Sequence, residues 1–336
     1  MQKPGHRLPT AKRPVNLSYY FPPNTIVFTF LFVFCRGNNL YAVAYFKLLR
    51  PKDWAKNFFL FIPLFFAGEF LNVGKLICIS YGFIAFCCIA SSIYIINDYK
   101  DIEDDRKHPV KCKRPLASGA VTPSIALIIC TALIIIGFAV GWFIGPKFLF
   151  VLAIYFFINL GYSMGLKAIP ILDMMLLSAG FVLRIKAGSI AGQVLLSQWV
   201  VVMVFLLALF MAIGKRRDDV LLKISTGTDM RRSIKGYNLE FLNTMLALVS
   251  AVIIVSYFMY TMSPTVEARL GSWRLYYTCL FVVAGIMRYL QIIYIDADAG
   301  SPTKILYKDR FIQITLVLWI LSFVLIIYLH DRTIFQ

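Results

Sequence analysis

Five carboxylates are crowded into eight positions of this chain, from Asp98 to Asp105, although the whole sequence holds only 17 acidic residues. Ionised carboxylates this close together repel one another, so a cation is expected among them. Carboxylate and water are the ligands that Mg²⁺ prefers. The cluster therefore predicts a site for a divalent metal and a phosphorylated ligand, with a solvated acidic loop as the plainer alternative.

Three of these carboxylates, Asp98, Asp101 and Asp105, are separated by three and four residues. If the preceding apolar run 76–96 continues as a helix, this spacing places them on one face at its end. The pattern lacks the central Gly and the terminal Glu of an EF-hand. Two Mg²⁺ ions bound there would neutralise the charge that develops on a diphosphate leaving group.

The elements that must position these residues are membrane helices. The 336 residues are 60% hydrophobic and only 15% charged, and their mean hydropathy is +0.75, which is too apolar for an ordinary soluble domain. Because lipid satisfies no backbone hydrogen bonds, an all-α polytopic helical bundle is expected. Windows long enough to cross a bilayer predict about nine transmembrane helices, near 54–71, 75–97, 124–145, 148–165, 170–190, 197–214, 239–262, 273–294 and 311–329.

Lys and Arg are concentrated in the segment up to Lys56 and in the loops 98–123, 215–235 and 304–310. By the positive-inside rule these regions face the cytoplasm, with the N-terminus inside and the C-terminus outside. The acidic cluster is then predicted at the cytoplasmic face of the cell (inner) membrane. The net charge of +17 agrees with this orientation and with an affinity for anionic lipid. No soluble basic domain remains that could bind nucleic acid.

Residues 1–45 form a basic extension that is predicted to be disordered or interfacial, ahead of a membrane domain over 46–336. The apolar run 25–35 is too short to span the membrane, and a signal peptide cleaved after residue 44 is the alternative. The seven Cys form no CxxC pair and the three His are scattered. A zinc site, a disulfide framework and histidine catalysis are therefore not indicated.

Several stretches of the chain resemble the UbiA superfamily of intramembrane prenyltransferases. Residues 97–105 contain NDxxDxxxD at the end of the second predicted span, which resembles the first aspartate motif of that family. The resemblance covers the chain from about residue 45 onward. Its other parts are RPKDWAKN at 50–57, KRPLASG at 113–119, YSMGLK at 162–167, GFVLR at 180–184, GKR at 214–216, SPT at 301–303 and KDR at 308–310.

The sequence departs from the family pattern after the sixth predicted span. Typical members carry a second aspartate motif of the form DxxxD there, whereas residues 214–219 of this chain read GKRRDD. Cations at this point suit direct binding of phosphate groups, which favours a donor with several phosphates, such as phosphoribosyl pyrophosphate. The alternative is that Lys215, Arg216 and Arg217 only anchor the helix at the cytoplasmic surface.

The resemblance implies a reaction and the residues that perform it. It is closest to a branch that transfers 5-phosphoribose from phosphoribosyl pyrophosphate to a membrane polyprenyl phosphate, such as decaprenyl phosphate, with release of pyrophosphate. By motif position, the catalytic residues and Mg²⁺ ligands are Asp98, Asp101 and Asp105. The predicted substrate-binding residues are Asn97, Lys56, Asn57, Lys111, Arg114, Tyr162, Lys167, Asp173, Arg184, Lys215, Arg216 and Asp219.

Some of these ionisable residues lie in or at the edges of predicted spans, where such groups usually face a cavity or a partner. An ion pair of Asp173 with Arg184 or with Lys167 that only locks helices together is as compatible with the sequence as a catalytic task. Close helix contacts are expected at Gly161, or at Gly188 and Gly192.

Two other functions remain open. One is ordinary prenyl transfer from a prenyl diphosphate to an aromatic or other acceptor. The other is a transporter in which the acidic loop gates a cation. Transporters often show related halves with interrupted helices, and no internal repeat is evident in this sequence.

Overall fold

The computed structural model describes residues 39–107, 110–226, 234, 236–295, 305 and 308–328. The chain divides into two units, residues 1–43 and 44–336, and the fold described below is that of the second unit. Every regular element in the described ranges is a helix, which confirms the all-α prediction. Most of the predicted N-terminal extension, and the SPT stretch at 301–303, lie outside the described residues.

The helices follow one another with short connections, as expected for a bundle in lipid. The α-helices are α1 (Asn39–Leu48), α2 (Ile62–Phe66), α3 (Val73–Lys100), α4 (Ile102–Lys107), α5 (Pro123–Ile144), α6 (Pro146–Met164), α7 (Leu172–Ala191), α8 (Gln198–Thr226), α9 (Leu239–Thr261), α10 (Pro264–Leu270), α11 (Cys279–Tyr294) and α12 (Arg310–Tyr328). Short 3₁₀-helices cover Pro51–Phe61, Lys111–Lys113, Leu166–Ala168 and Arg274–Thr278.

Within the described residues, 8 segments are long and apolar enough to cross a membrane. They are α3, α5, α6, α7, α8, α9, α12 and the stretch Arg274–Tyr294 that ends in α11. These segments coincide with the last eight of the predicted windows, which are thereby confirmed as helices. Their outward faces carry large exposed apolar side chains, such as Trp142 and Phe143 on α5, as expected for surfaces that contact lipid.

The first predicted window, 54–71, is built differently from the others. It contains the 3₁₀-helix Pro51–Phe61 followed by the short helix α2. Since a 3₁₀-helix rises about 2.0 Å per residue and an α-helix about 1.5 Å, the two together extend about 30 Å, which is close to the thickness of the hydrocarbon core. The prediction of about nine spans thus corresponds to eight long helices and one composite segment.

The 3₁₀-helix Pro51–Phe61 lies directly against α7. A Cβ atom at Gly188 would overlap the backbone carbonyl of Leu60, so only glycine permits this approach. A Cβ at Gly192 would lie 2.8 Å from the side chain of Ile79 on α3. The expected close contacts are therefore present at both glycines. At Gly161 the nearest group is Leu166, in the connection that directly follows the same helix.

Among the described residues, four apolar clusters hold the bundle together, and two of them have the most buried members. The first lies between the 3₁₀-helix Pro51–Phe61, α3, α6 and α7, and its buried members include Leu60, Phe86 and Leu152. The second lies mainly between α8, α9, α11 and α12, and includes Phe210 and Leu246. The acidic side chains discussed below lie near the end of α3 and the start of α7, and Asn57, Tyr155 and Arg184 lie beside the first apolar cluster.

Candidate active site

The predicted acidic motif lies where α3 passes into α4. The backbone N–H of Asp101 donates to the carbonyl of Asn97 at 3.0 Å, and the N–H of Asp105 donates to the carbonyl of Asp101 at 2.8 Å. Asp101 itself has φ −96° and ψ 12°, outside the helical region. The helix is therefore interrupted at Asp101: Asp98 and Asp105 share one partner, and Asp101 contacts another.

Asp98 and Asp105 converge on a single cationic nitrogen. Nη1 of Arg114 lies 3.1 Å from Oδ1 of Asp98 and 2.6 Å from Oδ2 of Asp105. Arg50 also donates to Oδ1 of Asp98, at 2.5 Å. Both carboxylates are almost fully buried, with 3% and 2% of their surface exposed. Two buried carboxylates are thus held together because arginines neutralise them.

Asp101 belongs to a second group of contacts around Lys167. The Lys167 ammonium lies 3.3 Å from Oδ2 of Asp101 and donates to Oδ1 of Asn97 at 3.1 Å. The amide of Asn97 in turn donates to Oδ2 of Asp101 at 3.2 Å. Gly165, with φ +152°, turns the chain after α6 and so brings Lys167 back to the end of α3. We call Asn97, Asp98, Asp101, Asp105, Arg114 and Lys167 the carboxylate cluster.

In the described part of the chain, no three His, Cys, Asp or Glu side chains are gathered closely enough to hold a metal ion. The predicted ligands are instead neutralised by Arg and Lys. Their donor atoms are nevertheless oxygens only, which suits Mg²⁺, and two of the carboxylates already share one cation. Asp98 and Asp105 therefore fit a divalent metal in place of the Arg114 nitrogen, whereas Asp101 is paired with Lys167.

Arg216, in the predicted basic segment on α8, is buried, with 1% of its side chain exposed. Its Nε donates to Oδ2 of Asp173 at 2.6 Å, and its Nη1 donates to Oδ2 of Asp219 at 3.0 Å. Its Nη2 is buried and has no hydrogen-bond partner among the residues that the structure describes. Arg217 donates to Oδ1 of Asn243 and to the carbonyl of Ile293. Both arginines thus tie α8 to its neighbours.

The ion pair of Asp173 with Arg184 or Lys167, which the sequence left open, is not formed, since Asp173 pairs with Arg216. Arg184 lies eleven residues further along α7, about 16 Å away along the helix axis, and Lys167 is held by Asp101. Asp173 also accepts a hydrogen bond from the hydroxyl of Tyr237 at 2.7 Å. Burial raises the pKa of Tyr237 well above its usual range, so this hydroxyl stays protonated and remains a donor.

Arg184 lies deeper in the bundle, with 5% of its surface exposed. Its Nε donates to Oδ1 of Asn57 at 2.8 Å, and its Nη2 donates to the hydroxyl of Tyr155 at 2.7 Å. Lys56, on the same 3₁₀-helix as Asn57, pairs with Asp53 at 2.6 Å. The predicted residues Lys56, Asn57 and Arg184 are therefore neighbours, in a group separate from the carboxylate cluster.

The other predicted residues lie around these groups. Tyr162, near the end of α6, is close enough to Arg216 for an electrostatic interaction. Lys111 is partly buried in the 3₁₀-helix Lys111–Lys113, and Lys215 is exposed on α8.

Two contributors were missed by the sequence interpretation. Arg50 precedes Pro51 and has φ +53°, a conformation that is strained for a residue with a side chain, and it contacts Asp98. Tyr155 supports Arg184 from α6. A signal for Arg50 was present in the quoted RPKDWAKN stretch; no sequence pattern distinguishes Tyr155 from the other aromatic residues of α6.

An apolar cavity of about 380 Å³ lies between the 3₁₀-helix Pro51–Phe61, α8, α9, α11 and α12. Phe59, Val204, Tyr257, Ile286 and Trp319 are among its lining residues. Rings of α2 and α12 are in contact beside the cavity, for example Phe66 and Trp319 with centroids 6.1 Å apart. The cavity can therefore hold a stretch of hydrocarbon chain.

Comparison with known proteins identifies the family. The model of the UbiA prenyltransferase family matches residues 58–302. The decaprenyl-phosphate phosphoribosyltransferase of Mycolicibacterium smegmatis is 34% identical over 82% of this chain and 89% of its own length. The protein of the same name from Corynebacterium glutamicum is 32% identical over 84% and 86%.

Solved structures show the same fold. A UbiA homolog from Archaeoglobus fulgidus, bound to GPP and Mg²⁺, superimposes with a TM-score of 0.62 at 21% identity, over 85% of this chain and 99% of that one. At this identity the likeness concerns the fold alone. Taken with the family match over most of the sequence, these findings show that the chain belongs to the UbiA prenyltransferase family and is an integral membrane transferase.

Proposed function

We propose that this protein transfers 5-phosphoribose from phosphoribosyl pyrophosphate to a membrane polyprenyl phosphate and releases pyrophosphate. The observation that carries the proposal is the similarity to relatives named decaprenyl-phosphate phosphoribosyltransferase, which are 31% to 34% identical over more than four fifths of this chain. The site supports it because anion-binding Arg and Lys side chains surround the carboxylates.

In this reaction an anionic oxygen of the lipid phosphate forms a bond to C1 of the ribose. The bond between C1 and the pyrophosphate oxygen breaks, and its electron pair leaves with the pyrophosphate. No proton needs to be transferred, because the attacking oxygen is already ionised. The main requirement is to neutralise the negative charge that collects on the leaving group.

The carboxylate cluster is the part of the site that fits this requirement. Asp98 and Asp105, joined by Asp101, would hold Mg²⁺, which when bound supplies positive charge to the pyrophosphate oxygens. Arg114 and Lys167, which neutralise the carboxylates in the structure, would then be available to donate to phosphate oxygens. Arginine and lysine bound to phosphate make hydrogen bonds that are strengthened by charge.

The apolar cavity supports a lipid acceptor. Its volume of about 380 Å³ falls in the lower part of the range for small-molecule sites, roughly 300–1,000 Å³. It would hold the isoprene units nearest the phosphate, while the rest of the polyprenyl chain remains in the bilayer. We place the catalytic domain at residues 46–336 and the carboxylate cluster at the cytoplasmic face of the cell membrane, as the distribution of basic residues indicates.

The test is a labelling experiment with purified protein in nanodiscs. Phosphoribosyl pyrophosphate labelled in the ribose is incubated with decaprenyl phosphate and Mg²⁺, and label in the organic phase is compared with pyrophosphate released. We expect equal amounts of both, and no product after chelation with EDTA. Parallel reactions use labelled geranyl diphosphate with aromatic acceptors. Lipid-soluble label from the prenyl donor alone, or cation flux in liposomes without pyrophosphate, would refute the proposal.

A further inference from the structure

Arg184 is a charged residue inside the membrane whose hydrogen-bond partners are all neutral. Its guanidinium donates to Asn57, to Tyr155 and to the carbonyl of Gly180, at 2.8, 2.7 and 2.9 Å. It also lies over the rings of Tyr155 and Phe181, at 4.8 and 5.3 Å from their centroids. In the ranges that the structure describes, no carboxylate pairs with it.

A buried charge without a counter-ion is costly in a bilayer, and such a residue usually faces a partner or a pathway for charged ligands. Lys56 is a neighbouring cation of Arg184, and the two positive charges repel each other. The Lys56 side chain is 43% exposed and its carboxylate partner Asp53 is 30% exposed. We call Lys56 and Arg184 the cationic pair. Asp53 neutralises Lys56 alone, so the pair keeps a net positive charge that an anion would neutralise.

The cationic pair and the carboxylate cluster both contact α3, at different positions along it. Nζ of Lys56 lies 6.0 Å from the ring of Tyr94, and Tyr94 precedes Asp98 by one helical turn, about 6 Å. Arg50, which binds Asp98, lies over the same ring at 5.0 Å. Arg184 donates to Asn57, and the Asn57 amide donates to the sulfur of Cys87 on α3 at 3.2 Å. Lys56 therefore lies about one helical turn from Asp98 along α3, and Arg184 lies further along the same helix, near Cys87.

The cationic pair also adjoins the apolar cavity. The Arg184 guanidinium lies over the ring of Phe181. This ring packs against that of Phe59, with centroids 4.8 Å apart. Phe59 is part of the cavity lining. A lipid whose chain fills the cavity can thus bring its head group to Lys56 and Arg184, while a water-soluble donor enters from the carboxylate end.

We propose that Lys56 and Arg184 bind the phosphate of the lipid acceptor. They lie further from the end of α3 than the carboxylate cluster, which receives the pyrophosphate. This inference rests on the proposed function and assigns each substrate its own anion site. Three of the five N–H groups of Arg184 are used in the bonds above, so two remain for a phosphate. The acceptor oxygen is then held on the membrane side of the ribose, opposite the departing pyrophosphate, as an in-line displacement requires.

Binding is tested without turnover. Thermal stabilisation of the purified protein is measured with decaprenyl phosphate, with uncharged decaprenol and with phosphatidic acid, in the absence of donor and metal. We expect stabilisation by decaprenyl phosphate only, and its loss in Lys56→Gln. Equal stabilisation by decaprenol would show that the charge is not recognised. Equal stabilisation by phosphatidic acid would assign the pair to bulk lipid, and either result overturns the inference.

Kinetics separate the two anion sites. In Lys56→Gln and in Arg184→Lys we expect the KM for decaprenyl phosphate to rise about tenfold or more, with the KM for phosphoribosyl pyrophosphate within twofold of the parent. Lys75→Gln is the matched control, because it removes a lysine paired with Glu69 at the opposite end of α3. A rise confined to the KM of the pyrophosphate donor would overturn the inference.

Failure of the inference can be distinguished from failure of the proposed function. If no phosphoribosyl transfer occurs but Lys56→Gln still abolishes the stabilisation by decaprenyl phosphate, the anion site is real and the reaction assignment is wrong. If transfer occurs and neither variant changes the lipid KM, the reaction stands and the pair only holds helices together. Because Arg184→Gln removes three hydrogen bonds at once, Lys56→Gln is the decisive variant.

Discussion

Replacing Arg114 by Gln should change metal binding and donor binding in opposite directions. In the structure one Arg114 nitrogen donates to both Asp98 and Asp105, at the position where a metal would be shared. A metal must break these two bonds before it can bind both carboxylates. Arg114→Gln removes that competition and leaves Asp98 with Arg50 as its cationic partner, so the two carboxylates should bind a divalent cation more tightly.

The size of the effect follows from the contacts. A hydrogen bond between charged groups contributes about 1.5–3 kcal/mol. Because 26% of the Arg114 side chain is exposed, solvent screens both bonds. We therefore take about 1.5 kcal/mol for the two bonds together. Since about 1.4 kcal/mol is tenfold in affinity, the Kd for a divalent cation should fall roughly tenfold. The KM for phosphoribosyl pyrophosphate should rise by at least as much, because a phosphate ligand is lost.

The assay is equilibrium binding of Mn²⁺, used as a spectroscopic substitute for Mg²⁺, to donor-free protein in nanodiscs, together with steady-state kinetics. Arg106→Gln is the control, because Arg106 lies on α4 but pairs with Glu103 at the surface, where both side chains are more than half exposed. It should leave both values unchanged. If Arg114→Gln weakens Mn²⁺ binding, or leaves the donor KM unchanged, Arg114 does not exchange with metal and the proposed site is wrong.

Three further outcomes test the rest of the structure. Asp98→Asn should abolish transfer while the protein still elutes as a folded monodisperse species; residual activity above a tenth of the parent would argue against a metal ligand there. Asp173→Ala removes the buried partner of Arg216 and leaves Asp219 as its other carboxylate; breaking a buried pair costs up to about 3–5 kcal/mol, so an unchanged melting temperature in detergent would contradict the pairing. Gly188→Ala should displace the segment that contains Leu60 and reduce both melting temperature and turnover, and a variant that keeps both would show that this contact can relax.

Much of the fold follows from the sequence because lipid imposes simple rules. Apolar windows of sufficient length predicted the eight long helices, since a spanning segment must satisfy its backbone hydrogen bonds internally. The grouping of Asp98, Asp105 and Arg114 near one end was also foreseeable, since all three fall within one short loop and the end of the helix that precedes it. Close packing at Gly188 was predicted from the small residue alone.

The pairings between distant residues could not be predicted in this way. Asp173 and Arg216 are 43 residues apart, and their contact depends on which faces α7 and α8 turn toward each other. Composition gives no information about that rotation when helices are apolar all round. The 3₁₀ geometry of Pro51–Phe61 was missed for a related reason, because hydropathy reports how apolar a segment is and not how far it rises per residue.

The contact between Gly188 and the backbone of Leu60 fixes the separation of two helical segments, one carrying Lys56 and the other Arg184. The Cα atoms that carry these two cations are therefore held at a separation set by main-chain atoms in contact, and only the flexible side chains can adjust. If the two cations bind one phosphate, a larger head group would require those side chains or the backbones to move apart. Discrimination among lipids by head-group size would then depend on Gly188, a residue that has no side chain.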